Sequence, residues 1–272
     1  MATKTPSSKK PGSKSTAIVP WSEKFAKYAK ADKQQVAAIG GGGPTVKFGP
    51  NSIVVAGASM PSAKLECIIV GSCAFNAYYD VPYDPDDPQP PACYAFAEVA
   101  GPDMAPHADC QQRQSESCAD CPQNQFGTAT VGNGKACGNN IRLGLITAKD
   151  AEESDAIATA ELAIAKISPT NLKEWKGYVD AVAETGRPMW SVVTEIQSLP
   201  VTNGRAGHTL KFRKVDDIED DDTLAALEAR YLKVQEALQQ PFGPPIERAK
   251  KPARGAVARN AKFAGGKASG RR

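Results

Sequence analysis

From Pro44 the spacing of apolar residues changes to that of short strands. The longest apolar stretch, Lys64–Phe75, begins by alternating and then becomes continuously apolar, the pattern of a central strand covered on both faces. Before it, Thr45–Phe48 and Ser52–Val55 are short strands separated by the turn signal Gly49-Pro50-Asn51. Tyr94–Glu98 predicts a return strand, and Asn140–Thr147 alternates again and resumes the sheet. Met189–Leu199 and His208–Val215 predict a terminal hairpin across Thr202-Asn203-Gly204. The Pro- and Asp-rich run Asp80–Pro91 reads as a surface loop.

Helical spacing occurs in four places. Trp21–Ile39 is opened by Ser22 as N-cap and closed by the Gly40–Gly43 run, read as a hinge. Asp150 with Glu153 fits a capping box and predicts a helix to about Ile167. Ser168-Pro169 then supplies an N-cap and first helical position, and Leu172, Trp175, Val179 and Val182 form one face until Gly186 and Pro188. The acidic run Asp216–Asp222 opens a last helix, where acids suit the dipole, with Leu224, Leu227, Tyr231, Val234 and Leu238 as its apolar stripe.

About seven short strands with helices grouped late give an α+β, β-rich class. The expected architecture is an OB-like barrel or curled antiparallel sheet with a zinc-binding insertion and peripheral helices, since such barrels accept large insertions between strands. The expected organisation is a disordered basic arm (1–20), helix and hinge (21–43), the OB-like domain (44–215) with its insertion at 93–137 and helices within 150–185, the acidic run and last helix (216–242), and a disordered basic tail (243–272).

Charge sharpens this division. The net charge of +3 hides +4 in residues 1–20 and +8 in residues 246–272, leaving −9 in the body between. An acidic body with two basic tails fits contact with a polyanion through the tails. No apolar run approaches the roughly 20 residues of a membrane span.

Several enzyme classes lack their residues. The chain has two histidines, His107 and His208, and no Gly-x-Ser-x-Gly elbow, complete phosphate-binding loop or His-Glu-x-x-His. Asp84, Asp86 and Asp87 have the chemistry for a divalent cation but read as a solvated turn. Glu195-Ile196-Gln197 lacks the lysine of a nuclease Glu-x-Lys element.

The distinctive chemistry is the cysteine segment. Five of seven cysteines lie between Cys93 and Cys137, and Cys118 and Cys121 form a Cys-x2-Cys knuckle that can fill two corners of a tetrahedron. Cys93, Cys137, Cys110 and His107 compete for the other two. The segment has almost no large aliphatic residues, so it needs a metal or disulfides to hold its shape. The polar, lysine-rich start has no apolar signal region, which favours a reducing compartment and zinc over disulfides, with an iron–sulfur cluster a further alternative. Enough cysteines exist to close the shell, so the zinc reads as structural rather than catalytic.

Aromatic residues surround this segment. Tyr78, Tyr79 and Tyr83 follow the main strand, Tyr94 lies on the return strand and Phe126 lies just past the knuckle, with Lys47, Lys64, Arg113, Lys135 and Arg142 as nearby cations. Rings that stack bases beside cations that follow the backbone are the means of holding single strands. Phe75 and Phe96 read instead as core.

Tyr78-Tyr79, Tyr83-Asp84-Pro85, Pro90-Pro91-Ala92-Cys93-Tyr94, Cys118-Ala119-Asp120-Cys121-Pro122-Gln123-Asn124-Gln125-Phe126-Gly127 and Gly134-Lys135-Ala136-Cys137 resemble a group of tailed-bacteriophage proteins. Ser168-Pro169-Thr170-Asn171 with Trp175 and Tyr178, and Val192-Val193-Thr194-Glu195-Ile196, are similar to the same group. That group is similar in turn to phage single-stranded DNA-binding proteins with a zinc subdomain embedded in an OB fold. The resemblance implies Cys93, Cys118, Cys121 and Cys137 as ligands, with Cys110 and His107 as alternatives. It also implies a non-enzymatic single-stranded DNA-binding protein in the host cytoplasm, working beside phage replication or recombination proteins. The alternatives are a zinc-bearing protein that binds host RNA polymerase or another protein, and a metal-dependent nuclease. One departure is the basic C-terminus, where replicative single-strand binders typically end in an acidic tail.

Overall fold

The computed structural model describes residues 45–82, 89–201 and 207–242. The arm, the first helix and hinge, Tyr83 with the acids Asp84, Asp86 and Asp87, the Thr202-Asn203-Gly204 turn and the basic tail all lie outside the described residues. The strands are β1 (Thr45–Gly49), β2 (Ser52–Val55), β3 (Ala58–Ser59), β4 (Lys64–Tyr78), β5 (Cys93–Ala97), β6 (Gly138–Thr147), β7 (Ala163–Ile167), β8 (Val192–Pro200) and β9 (His208–Asp217). The α-helices are α1 (Ser154–Ile157), α2 (Leu172–Ala183) and α3 (Asp221–Leu238).

All nine strands join one curled sheet in the order β3-β2-β1-β7-β6-β4-β8-β9, with β5 paired to β4 beside this path. It forms a half-barrel. β4 is its axis: it pairs with β8 at its start, β6 along most of its length and β5 at its end. Its continuously apolar centre follows from burial on both sides. Leu65, Cys67 and Ile69 face one core, while Ile68, Val70 and Cys73 face the other. Ser198 Oγ donates to Gly49 O at 2.7 Å and ties β8 to the β1–β2 hairpin.

Helix α2 lies over the first core, burying Trp175, Tyr178 and Val182, and the Tyr178 hydroxyl shares a 2.6 Å hydrogen bond with Thr194 Oγ1. Helix α3 covers the second core with Leu227, Val234 and Leu238. Asp220 caps it, its carboxylate accepting from Thr223 N at 2.8 Å. Tyr231, expected in the buried stripe, is instead exposed.

The helix expected from Asp150 to Ile167 does not form. A 3-10 turn and the four-residue α1 are followed by β7, which pairs antiparallel with β6 and parallel with β1. The sheet is therefore mixed rather than antiparallel. The reason is in the side chains: Ala163, Ala165 and Ile167 are buried at period two, while Lys166 is exposed. β6 pairs with all five of those residues and β1 with Ile164 and Ala165, and these partners outweigh the weak helix preference of the preceding acids.

Candidate metal centre

The chain leaves the sheet after β5 and returns at β6, and the intervening segment has almost no regular structure beyond the 3-10 turn Pro122–Asn124. Its shape rests on individual hydrogen bonds. Cys118 N donates to Met104 O and Cys137 N to Gln123 O, each at 2.8 Å. Asn124 bridges the knuckle, its N donating to Cys121 O at 3.0 Å and its Nδ2 to Cys118 O at 2.6 Å. His107 N and Gln112 N donate to Tyr94 O and Ala92 O, stitching the lobe to β5 and its approach. The apolar cluster under it consists of Ala74, Ala95, Met104 and Cys118, with Ala97 partly buried against it. So little aliphatic surface cannot stabilise a lobe of this length.

Cys93, Cys118, Cys121 and Cys137 are all buried, and all four line one cavity of about 10 Å³. Asn76, Tyr78, Tyr94, Ala95, Pro106, Gln114 and Asn124 complete its wall, so no charged side chain faces it. All seven cysteines are free thiols. Among the described residues no group of three or more His, Cys, Asp or Glu side chains is placed so that it could hold a metal ion. The convergence is one of shared cavity and shared electrostatics.

The thiols press on one another. Cys137 is pushed up to about 12, first by burial and then by Cys118, Cys121 and Cys93, with Lys135 opposing. Cys118 is raised by burial and by Cys93 and Cys121, against a hydrogen bond from Asn76. Cys93 is raised by burial and by Cys110 and Cys121, against a backbone hydrogen bond from Gln114. Four such groups ionise together only around a cation, which reverses the sign of their mutual interaction. Four buried sulfur donors without a charged wall have the chemistry that suits a thiolate-preferring divalent ion such as zinc.

The alternative ligands have other partners. Cys110 sits on the backbone of Tyr94, its sulfur accepting from Tyr94 N and donating to Tyr94 O, each at 3.1 Å, and it is not part of the cavity wall. His107 stacks on the Tyr94 ring at 5.3 Å, and its Nδ1 accepts from Asp109 N at 3.2 Å. Cys67 and Cys73 belong to the two sheet cores.

The expected nucleic-acid residues separate into surface and interior groups. Tyr79 is 43% exposed and Phe126 is 76% exposed, with Lys135 Nζ 5.1 Å from the Phe126 ring centre and hydrogen-bonded to Asn124 Oδ1 at 3.2 Å. Tyr78 is half-buried in the cavity wall. Lys47 is exposed on β1. Lys64 is paired with Glu195 at 3.1 Å, and Arg113 reaches Pro106 O and Glu116. Two expectations are corrected. Tyr94, 3% exposed, and Arg142, 8% exposed, are interior residues and offer no surface to a base or phosphate. Tyr94 packs against Phe96, His107 and Phe242, and the Arg142 guanidinium lies 4.7–5.2 Å from the ring centres of Phe75, Phe96 and Phe242. Phe75 is core, as expected, and Phe96 is partly buried against the same cluster.

Asn76, Gln114 and Asn124 are the wall residues that the spacing of cysteines did not indicate. Asn76 left a trace in the sequence as an amide in the mostly apolar second half of its strand, and Asn124 stands within the motif Cys118–Gly127.

Glu195, the acid of the nuclease alternative, is held between Lys64 and Arg213, at 3.1 and 3.2 Å. Both neighbours keep its carboxyl below its ordinary range, Arg213 most strongly. No helix among the described residues is long and apolar enough to cross a membrane.

No family model matches the chain, and neither a curated protein nor a solved structure matches it.

Proposed function

We propose that this is a non-enzymatic, zinc-bearing single-stranded DNA-binding protein of a tailed phage, acting in replication or recombination in the host cytoplasm. The observation that carries the reading is the convergence of Cys93, Cys118, Cys121 and Cys137 on one uncharged cavity at the edge of a half-barrel. In this reading the fold is OB-like and the lobe is its zinc insertion. The four sulfurs close the coordination shell, so the ion supplies rigidity and leaves no site for an activated water.

The lobe in turn carries the exposed Phe126 beside Lys135, and Tyr79 stands where β4 ends. Bases stack on such rings with about 1–3 kcal/mol each. Lys47 and the basic residues of 1–20 and 246–272 add contacts to phosphate that weaken as salt rises.

A second reading has its own support. The lobe carries Glu98, Asp103, Asp109, Glu116 and Asp120 against Arg113 and Lys135, and it exposes Val99, Phe126 and Val131. An acidic surface with exposed apolar side chains suits a protein partner, host RNA polymerase being the expected one, better than it suits phosphate.

Fluorescence anisotropy separates these readings. Labelled oligo-dT and duplex are titrated at two salt concentrations with Mg²⁺ present. Preference for the single strand without cleavage, lost on Tyr79→Ala with Phe126→Ala, is the expected result. No binding to either form moves the assignment to a protein partner, and cleavage moves it to a nuclease.

A further inference from the structure

The charged residues of the cysteine lobe are not spread evenly. All five of its acids, Glu98, Asp103, Asp109, Glu116 and Asp120, precede Cys121. No Asp or Glu then occurs from Cys121 to Lys149. The stretch after the knuckle therefore differs from the acidic surface before it. It carries Lys135 and exposes Phe126.

Hydrogen bonds close this stretch into a loop. Gly127 N and Ala129 N both donate to Gly134 O, at 2.9 and 3.2 Å. Ala136 N donates to Thr128 Oγ1 at 2.9 Å, and that hydroxyl donates to Gln125 O at 2.7 Å. In the closed loop Lys135 Nζ lies 5.1 Å from the centre of the Phe126 ring and donates to Asn124 Oδ1 at 3.2 Å. The other end of the same amide, Nδ2, donates to Cys118 O at 2.6 Å, and Asn124 N donates to Cys121 O at 3.0 Å. One side chain thus links the backbone of the knuckle to the ammonium that lies over the exposed ring.

We propose that the loop from Asn124 to Lys135 is the lobe's contact for unpaired nucleotides, and that Asn124 is its positioning residue. The Phe126 ring stacks a base, the Lys135 ammonium meets the adjoining phosphate, and Asn124 holds the pair in place from the knuckle. This rests on the single-strand reading and deepens it. A loop without acids suits a phosphate backbone better than the Glu98–Asp120 side of the lobe does. Long side chains lose rotamer freedom when a ligand orders them, and a pair already held by Asn124 avoids much of that cost.

The test uses the full chain and fluorescence anisotropy with labelled oligo-dT. Asn124→Ala is expected to weaken binding about 3–10-fold. It leaves the slope of log affinity against log salt unchanged, because Lys135 remains, whereas Lys135→Met lowers that slope by roughly one. In a Phe126→Ala, Lys135→Met background, Asn124→Ala costs nothing further, since it acts only through that pair. Asn124→Ser, too short to span both partners, gives the same pattern and carries the test if Asn124→Ala does not fold. Equal losses in both backgrounds, or no loss in either, overturn the proposal. Oligo-dT affinity left unchanged by Phe126→Ala with Lys135→Met assigns the loop to a protein partner and overturns it too. An unsubstituted chain without affinity for oligo-dT removes the single-strand reading itself, and this proposal with it.

Discussion

The Arg142 guanidinium donates through Nη1 to the carbonyl oxygen of Leu238 at 2.7 Å, joining the middle of β6 to the C-terminus of helix α3. Nη1 also reaches Gln240 O at 3.3 Å. A cation at this end of a helix satisfies a terminal carbonyl and complements the dipole. Burial lowers the Arg142 pKa, and the rings of Phe75, Phe96 and Phe242 surround the charge in place of water. Arg142→Leu therefore loses a charge-assisted bond, and we expect about 1.5–3 kcal/mol lower stability in urea. Single-strand affinity measured on the remaining folded protein should not change.

The same helix is seated on glycine. Gly71 on β4 and Gly144 on β6 are paired in register, and Val234 lies over both. A Cβ at Gly71 would collide with Val234 Cγ1, and one at Gly144 would lie 2.9 Å from its Cγ2. Gly71→Val should cost about 1–3 kcal/mol through overpacking. Val234→Ala should recover part of that loss in the double variant, measured as a thermodynamic cycle.

Glu195 makes stability depend on acid. Its pKa in the folded chain lies below the ordinary 4.5, chiefly through the hydrogen bond from Arg213 and then that from Lys64. A group depressed on folding contributes fully above its unfolded pKa, and the contribution disappears as pH falls through the folded value. The unsubstituted protein should therefore lose stability below about pH 4.5 more steeply than Glu195→Gln, the two curves being compared by thermal melts across pH 3–7.

Cysteine variants should divide along the cavity wall. On the proposed metal reading, Cys137→Ala removes a ligand and should abolish stoichiometric Zn²⁺ uptake, and so should Cys93→Ala. Cys110→Ala should retain uptake, because its sulfur serves the Tyr94 backbone. Uptake that survives Cys137→Ala and fails in Cys110→Ala would exchange their roles.

Much of this was legible in the chain. The two-sided burial of β4 followed from its continuous apolar run, and the α2 face from the spacing of Trp175 and Val182. The four cysteines that the resemblance singled out line one cavity. β7 was hidden because its alternation is built on alanine, and acids upstream imitate a helix start. Tyr94 and Arg142 were misread for a different reason. Both are amphipathic, and whether such a side chain faces outward depends on what covers it. Here the covering residue is Phe242, about 150 residues away from Tyr94 in the chain and past the end of the last helix.

The most direct test of the account is metal content joined to a chelation melt on the purified full chain. One zinc per chain is expected, with a clear drop in melting temperature when a strong chelator removes it, since the lobe has too little apolar core to persist without the ion. A metal-free protein that melts at the same temperature with and without chelator would contradict it.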